Sequence, residues 1–155
     1  MVTSAAHAGL KAAIDRHVQG ASWQRCRVHC SRDLVGMVGA GRRGALAADL
    51  RDVFAATTRE RAPATAEALA ARWEPAHPAV ARLLEAAIEE GLACFAFPLA
   101  HRARIRTTNG VERLNEEIRR RTRVVRSFPH AAACLRLQAL TKLIRAAARS
   151  RSRST

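Results

Sequence analysis

The sequence predicts a mainly α-helical protein with one or two short strands at most. Apolar side chains recur at intervals of three and four residues through most of the chain, which is the period of an amphipathic helix. Only the segment 23–28 alternates with the period of two that indicates a strand. Because 34 of the 155 residues are alanine and only six are aromatic, the large apolar side chains suffice for a helical core and for little more.

The first 42 residues are predicted to contain two helices and this strand. The first helix covers 9–18 and ends at Gly20, and the second covers 29–38 and ends at the Gly-Ala-Gly of 39–41. In the strand, alternate side chains point to opposite sides: Trp23, Arg25 and Arg27 to one, Gln24, Cys26 and Val28 to the other.

Residues 43–97 are predicted to form a block of helices with three apolar stripes. Pro63 and Pro78 suit the first turns of the second and third helices, and Pro98 closes the block. The segment 98–108 is predicted to be a basic loop. The stripes consist of Leu46, Leu50, Val53 and Phe54; Leu69 and Trp73; and Val80, Leu83, Leu84, Ala87, Ile88, Gly91 and Leu92.

Two further helices are predicted on either side of Pro129. The first runs from about 109 to 125 and is expected to turn Val111, Leu114 and Ile118 inward, and the second runs from about 131 to 148 with Leu137, Leu140 and Ile144 inward. The Arg-Ser repeats of 149–155 predict a disordered basic tail.

Positive charge is concentrated at one end of the chain. The net charge is +14, and residues 101–155 hold 15 basic but only three acidic side chains, whereas residues 1–100 hold 12 and 10. Such a field attracts a polyanion, because neutralised phosphates release their condensed counter-ions. The arginines between 102 and 126 alternate with apolar positions at helical spacing, so nucleic acid is the expected partner of this block.

Several classes of protein are disfavoured by the same sequence. No stretch reaches the 18 or more apolar residues of a membrane span, and the chain starts without an apolar signal-peptide core. Four irregularly spaced cysteines without an export signal favour reduced thiols and a cytoplasmic location.

Cys26 and His29 form a Cys-x-x-His motif that allows two interpretations. They would supply half of a zinc site, whose other half would come from His130 and Cys134, one helical turn apart. Alternatively, Cys26 is a packed residue at a strand end and His29 a capping or hydrogen-bonded histidine, since cysteine is among the most buried residue types. The spacing does not choose between them.

The segment 107–121 also has two interpretations. Asn109 and Glu112 would form a capping box, followed by i,i+4 ion pairs from Glu116 to Arg120 and from Glu117 to Arg121. In the other interpretation the helix places carboxylates beside phosphate-binding arginines, as a nuclease-like site does. The face concerned carries Glu112, Glu116, Arg119 and Arg123.

Four strings of residues in this sequence are characteristic of a known family. The two most specific are Trp-Gln-Arg-Cys-Arg-Val-His at 23–29 and Thr-Thr-Asn-Gly-Val-Glu-Arg-Leu-Asn-Glu-Glu-Ile-Arg-Arg-Arg at 107–121. The others are Phe-Pro at 97–98 and Ser-Phe-Pro at 127–129. Together they resemble the C-terminal portion of Mutator-type transposases of bacterial insertion sequences, and the resemblance runs in order from about Val2 to Leu143.

This resemblance implies the C-terminal part of an RNase H-like α/β catalytic domain with an all-helical insertion. Residues 1–42 would be the remnant of the core, 43–97 the insertion and 98–148 the C-terminal helices of the core. In the family, two aspartates and a glutamate hold two divalent ions, usually Mg²⁺ or Mn²⁺, which drive attack on a DNA phosphodiester.

Carried over by position, the third carboxylate is Glu112, with Glu116 a weaker candidate one turn further along the helix. Cys26 and His29 match the family's signature, and Arg119 matches a basic position expected to contact phosphate. The helix is expected to bind DNA, in the family the terminal inverted repeats of the element, through Asn109, Arg113, Asn115, Arg119, Arg120, Arg121, Arg123 and Arg126.

The sequence also departs from the family. The segment 2–10 resembles the one that carries the second aspartate, but that position is Ala5, 107 residues before Glu112, and the first aspartate has no counterpart. We therefore expect a truncated transposase that binds no metal and does not cleave DNA by itself. We expect it to be associated with the nucleoid and to bind a second copy of itself or a full-length transposase. The alternatives are a non-catalytic, DNA-binding regulatory protein and a small zinc-stabilised helical protein.

Overall fold

The structure, a computed structural model, describes the backbone of residues 1–151 and the side chains of 1–144 and 146. The prediction of a mainly helical chain with at most two short strands is confirmed. The elements, in order, are β1 (Val2–Ser4), α1 (Ala8–His17), β2 (Trp23–Arg25), α2 (Arg27–Gly36), α3 (Ala40–Phe54), α4 (Arg61–Trp73), α5 (Pro78–Glu90), a 3₁₀ turn (Ala93–Ala96), α6 (Leu99–Ile105), α7 (Asn109–Val125) and α8 (Ala131–Arg151). The chain divides into two compact units, 1–108 and 109–155.

The first unit begins with a parallel β-α-β arrangement. β1 and β2 pair directly, with Val2 opposite Trp23 and Ser4 opposite Arg25, and α1 connects them. The predicted strand is too long at its end, because α2 begins at Arg27 and Cys26 is its N-cap residue. Val28 therefore lies in a helix, and its predicted place beside Gln24 and Cys26 on one side of a strand is wrong.

The hydrophobic core of the first unit is built from α2 to α5, as the three apolar stripes predicted. Leu46, Leu50 and Val53 of α3 are buried, as are Leu69 and Trp73 of α4. From α5 and the residue after it come Val80, Leu84, Ala87, Ile88 and Leu92. Two of the stripe positions, Phe54 and Leu83, are only partly buried and pack against this core.

The segment 98–108 is mostly helical, and its predicted assignment as a basic loop is wrong. Pro98 is the N-cap of α6, and two arginines of the segment turn back onto the unit's own backbone. Arg102 donates to the carbonyls of Phe97 and Thr57 at 2.7 and 2.9 Å, and Arg106 donates to the carbonyls of Phe54 and Ala56 at 3.3 Å. Because these guanidinium groups bind carbonyls left over by α3 and the turns around it, they form a structural part of the first unit.

The second unit is a pair of helices, α7 and α8, that pack against each other. Leu114, Ile118 and Leu137 are partly buried, but Val111, Leu140 and Ile144 are 61, 52 and 41 % exposed, so their predicted inward orientation is wrong. A two-helix pair covers only the stripe that faces the partner helix, which explains the difference.

α7 ends at Val125, the φ of 58° at the next residue, Arg126, lies in the left-handed region, and α8 continues to Arg151. The backbone of α8 thus enters the segment 149–155, for which a disordered tail was predicted; residues 152–155 lie outside the described part. None of the described helices combines the length and apolar character needed to cross a bilayer.

Candidate functional site

The carboxyl ends of β1 and β2 lie side by side and bring the predicted family positions of the first unit together. The N–H of Cys26 donates to the carbonyl of Ser4 at 2.8 Å, so Ala5 and Cys26 follow neighbouring strands at the same edge. In open α/β sheets this edge is where ligands bind. Ala5, the position at which the resemblance implies an aspartate, is partly buried and presents only a methyl group there.

Cys26, His29 and Thr108 form a polar cluster at this edge. The Thr108 N–H donates to Cys26 Sγ at 3.3 Å, and Thr108 Oγ1 lies 3.4 Å from Cys26 Sγ and 3.4 Å from His29 Nδ1. Cys26 is fully buried. The burial of Cys26 is compatible with both interpretations of the Cys-x-x-His motif. The hydrogen bond from the Thr108 N–H shows that the Cys26 sulfur is an acceptor.

The two cysteines at the start of α2 have opposite environments. Burial alone would raise the pKa of the Cys26 thiol, but hydrogen bonds from Thr108 and His29 outweigh it and lower that pKa to about 7. Cys30, one turn later, packs in the hydrophobic core, and burial raises its pKa to about 11 although Arg25 opposes the change. Cys26 thus has the greater thiolate character, in a position closed to solvent.

The described residues do not form a metal centre. Among them, no group of three or more His, Cys, Asp or Glu side chains gathers in a way that could hold an ion. Of the four residues considered for a zinc site, Cys26 and His29 lie in the first unit and His130 and Cys134 in the second; His130 Nδ1 accepts the N–H of Ala133 at 3.2 Å at the start of α8. Mg²⁺ needs several oxygen ligands, and with a methyl group at Ala5 the donor set does not fit it.

In the second unit, α7 is continuous from Asn109 to Val125, so Glu112, Glu116, Arg119 and Arg123 share one face. Glu112 is partly buried, and the other three side chains are exposed. Arg119 and Arg123 form no ion pair with any side chain that the structure describes. This face presents two uncompensated guanidinium groups to solvent, one helical turn apart.

The neighbouring arginines, Arg120 and Arg121, share one carboxylate partner. Glu117 accepts from Arg120 Nη2 at 2.9 Å and from Arg121 Nε at 2.8 Å, and hydrogen bonds from Arg120 and then Arg121 lower its pKa to about 2. The predicted pair Glu117–Arg121 is present, whereas the predicted pair Glu116–Arg120 is replaced by Glu117–Arg120. Glu117 lies three residues before Arg120 and four before Arg121. Both spacings bring side chains together on a helix surface, so this one carboxylate pairs with two guanidinium groups.

The remaining predicted DNA-binding residues of this unit are mostly accessible. Arg113 donates to the carbonyl of Asn109 at 3.3 Å and is exposed. Asn115 and Arg126 are exposed as well, whereas Asn109 is partly buried. By contrast, Arg102 and Arg106 of the predicted basic block bind carbonyls within the first unit, so the accessible arginines of that block are Arg104 of α6 and those of α7.

The sequence interpretation missed Thr108 as a member of the Cys26 cluster. A threonine directly before a helix carries no signal of a contact with a cysteine 82 residues earlier. The sequence interpretation also missed the contacts that the Trp-Gln-Arg string of β2 makes within the first unit. Gln24 is buried against the end of α5, and Arg25 is paired with Glu90.

The comparisons with known proteins agree on one family. The sequence matches the family described as "Transposase, Mutator family" over residues 1–148. It is 44 % identical over 132 residues, 84 % of this chain, to the transposase for insertion sequence element IS406 of Burkholderia multivorans. It is 39 % identical over 137 residues, 88 % of this chain, to the transposase for ISRM5 of Rhizobium meliloti. The transposase for IS1081 of Mycobacterium tuberculosis is 37 % identical over 137 residues, also 88 % of this chain.

The chain therefore belongs to the Mutator family of transposases. It spans about a third of the length of the curated relatives that it matches, 34 % for the first two and 33 % for the third. The resemblance of its two signature strings to this family is thus confirmed.

Proposed function

We propose that this chain acts in DNA transposition as the part of a transposase that contacts DNA through α7. The observation that supports this is the charge state of one helix: Arg119 and Arg123 are exposed and form no ion pair with a described side chain, whereas Arg120 and Arg121 share the carboxylate of Glu117. Guanidinium groups in such positions form bidentate, charge-assisted hydrogen bonds with phosphate oxygens. Contacts of this kind orient a protein on DNA without reading its sequence.

The substrate that follows from the family is the DNA of an insertion element. The relatives are named as transposases for insertion sequence elements, and for this chain we propose the terminal inverted repeats of such an element as the DNA that is bound. A second copy or a full-length transposase is the proposed protein partner, and the nucleoid the proposed location.

We assign Glu112 as the carboxylate that the family site would draw from this chain, with Glu116 as the weaker candidate. Glu112 stands in the first turn of α7, and Arg119 lies on the same face. In an intact site a divalent ion such as Mg²⁺ would supply Lewis-acid chemistry at the phosphodiester. These 155 residues lack the companion carboxylates, so we propose that they bind DNA and do not cleave it.

One observation favours a second candidate function. Ala5 occupies the carboxyl end of β1 in an otherwise intact parallel β-α-β arrangement. A chain that retains the DNA-binding arginines of α7 but lacks this carboxylate would compete with an active transposase for DNA, or join it as an inactive subunit. Repression of transposition by co-expression of the chain would support this regulatory function.

The DNA-binding proposal is tested by fluorescence anisotropy with a labelled duplex over a series of salt concentrations. The double variant Arg119→Gln, Arg123→Gln is expected to bind about tenfold or more weakly at low salt, with the slope of log K against log [salt] reduced by about 1 to 2. The matched control is Arg51→Gln, Arg82→Gln, which removes the same charge from exposed positions of the first unit.

Two results would contradict the proposal. One is wild-type binding whose affinity does not fall as salt rises, since phosphate contacts must release counter-ions. The other is an equal loss of affinity in both double variants, because that would assign binding to the overall charge and not to the α7 face.

A further inference from the structure

The segment that leads into α7 is fastened to the strand ends by a series of hydrogen bonds. Thr3 Oγ1 donates to the carbonyl of Ile105 at 2.6 Å, and the N–H of Arg27 donates to the carbonyl of Arg106 at 3.1 Å. Thr108 then meets Cys26 through both its backbone N–H and its hydroxyl. A stretch of four residues is thus held by groups from β1, from the N-cap of α2 and from the first turn of α2.

The sulfur of the buried Cys26 makes polar contacts. Its side chain is 0 % exposed, and the cluster of apolar side chains packed between α2 and α5 includes Cys30 but not Cys26. The N–H of Thr108 donates to Cys26 Sγ, and the hydroxyl of Thr108 lies 3.4 Å from Cys26 Sγ and 3.4 Å from His29 Nδ1. Cys26 therefore accepts a hydrogen bond in addition to filling space at the strand ends.

We propose that Cys26 and His29 are positioning residues, which hold Thr108 at the carboxyl ends of β1 and β2 and thereby fix the residue from which the Glu112-bearing helix α7 starts. Thr108 immediately precedes Asn109, the first residue of α7. The inference deepens the proposed function, on which its importance for DNA rests, and it gives the Cys-x-x-His motif a role that needs no metal.

A comparison of Cys26 with Cys30 separates positioning from packing. Both are buried residues at the start of α2, but Cys30 packs among apolar side chains of the core, whereas Cys26 Sγ accepts the N–H of Thr108. Replacing Cys30 with alanine removes core volume and weakens the whole unit. Replacing Cys26 with alanine removes the acceptor of the Thr108 N–H and frees the segment before α7.

Amide hydrogen exchange followed by NMR tests this directly on the full chain. In Cys26→Ala we expect exchange of the Thr108 amide to be at least tenfold faster than in the wild type, with a smaller change in α3 to α5. Cys26→Ser keeps an acceptor oxygen and is expected to restore part of the protection. In the control, Cys30→Ala, exchange should rise throughout the first unit without favouring Thr108.

A pair of substitutions at Thr108 tests the same proposal if Cys26→Ala does not fold. Thr108→Val removes the hydroxyl and is expected to accelerate exchange at the start of α7 at least threefold, whereas Thr108→Ser should behave like the wild type. Unchanged protection of Thr108 in Cys26→Ala, or equal behaviour of Thr108→Val and Thr108→Ser, would overturn the positioning role.

DNA binding distinguishes this inference from the proposed function. If positioning matters for DNA, Cys26→Ala should bind duplex DNA at least threefold more weakly while Cys26→Ser retains most of the affinity. If the wild type itself fails to bind DNA, the proposed function is wrong, and the exchange measurements still decide whether Cys26 holds Thr108.

Discussion

The side-chain amide of Gln24 donates from Nε2 to the carbonyl of Gly91 at 2.8 Å, which joins β2 to the end of α5 across 67 positions of sequence. The same amide accepts the N–H of Cys94 on its Oε1 at 2.8 Å. Gln24 is only 2 % exposed, so these bonds replace water for three buried groups. Gln24 is thus one of the residues that attach the strand pair to the helical part of the first unit, together with Arg25, which pairs with Glu90 of α5.

Gln24→Ala is expected to destabilise the first unit by about 2 kcal/mol, because a buried donor and a buried acceptor lose their partners. Both tryptophans of the chain, Trp23 and Trp73, belong to this unit, so fluorescence during urea unfolding reports on it. Gln19→Ala, at an exposed position, is the control and should change the unfolding free energy by less than about 0.5 kcal/mol. Equal effects of the two substitutions would show that the buried amide contributes no stability.

The two carboxylates that pair with Arg25 are expected to differ in importance. Arg25 has 8 % side-chain exposure and lies 3.0 Å from Glu90, which is 27 % exposed, and 3.1 Å from Asp33, which is 52 % exposed. Glu90→Gln leaves a buried guanidinium without its better partner and should cost about 3 kcal/mol. Asp33→Asn should cost less than about 1 kcal/mol, because water screens the exposed pair. Urea unfolding of both variants checks the order, and a larger effect of Asp33→Asn would contradict it.

The thiols of Cys26 and Cys30 are expected to give the unfolding free energy a maximum between about pH 8 and 10. For Cys26, the folded pKa of about 7 lies below the ordinary value of 9.0, so between these values the unfolded chain binds more protons and stability rises with pH. For Cys30, the folded pKa of about 11 lies above 9.0, so the folded chain binds more protons and stability falls between pH 9 and 11.

Denaturant titrations under reducing conditions at half-unit pH steps measure both parts of this profile. In Cys26→Ala, the increase of the unfolding free energy below pH 9, which is on the order of 2 kcal/mol, should be absent. In Cys30→Ala, the decrease of the unfolding free energy above pH 9 should be absent. A profile that stays the same in both variants would assign the pH dependence to other groups.

Incubation of the chain with terminal-repeat DNA and Mg²⁺ or Mn²⁺ is expected to give no nicking above the level of a protein-free control. The reason is the donor set: no metal-holding group of three or more His, Cys, Asp or Glu exists among the described residues, and Ala5 carries no oxygen. Cleavage that needs the metal and disappears in Glu112→Ala would contradict this expectation. Glu85→Ala, which removes an exposed carboxylate from α5, is the control for the loss of one negative charge.

The periodicity of the sequence predicted the helices well because their stabilising contacts follow their own spacing. The stripe of α5 from Val80 to Ile88 is buried as expected, since one face of an amphipathic helix must be covered wherever it packs. The boundary between β2 and α2 was not predictable in this way. Cys26 is the N-cap of α2, and Cys30 donates its N–H to the carbonyl of Cys26, a bond that alternation of polarity does not reveal.

The candidate site was predictable only in part, for a related reason. The sequence placed Glu112, Arg119 and Arg123 on one helix face, which needs nothing beyond 3.6 residues per turn. It did not distinguish Arg102 and Arg106, which bind backbone carbonyls, from the arginines of α7, since charge and spacing are alike in both segments.

By itself, the amino-acid order determined that this chain is helical, strongly basic at one end and a member of a transposase family, because periodicity, charge and signature strings are local properties of the chain. Only the tertiary structure decided which polar side chains form contacts inside the protein and which are exposed to solvent. Gln24, Cys26 and Arg106 have partners 67, 82 and 50 positions away, which are Gly91, Thr108 and Ala56. Such pairings depend on how helices and strands pack, and packing brings together residues that are far apart in the sequence. No local pattern in the sequence indicates such a contact.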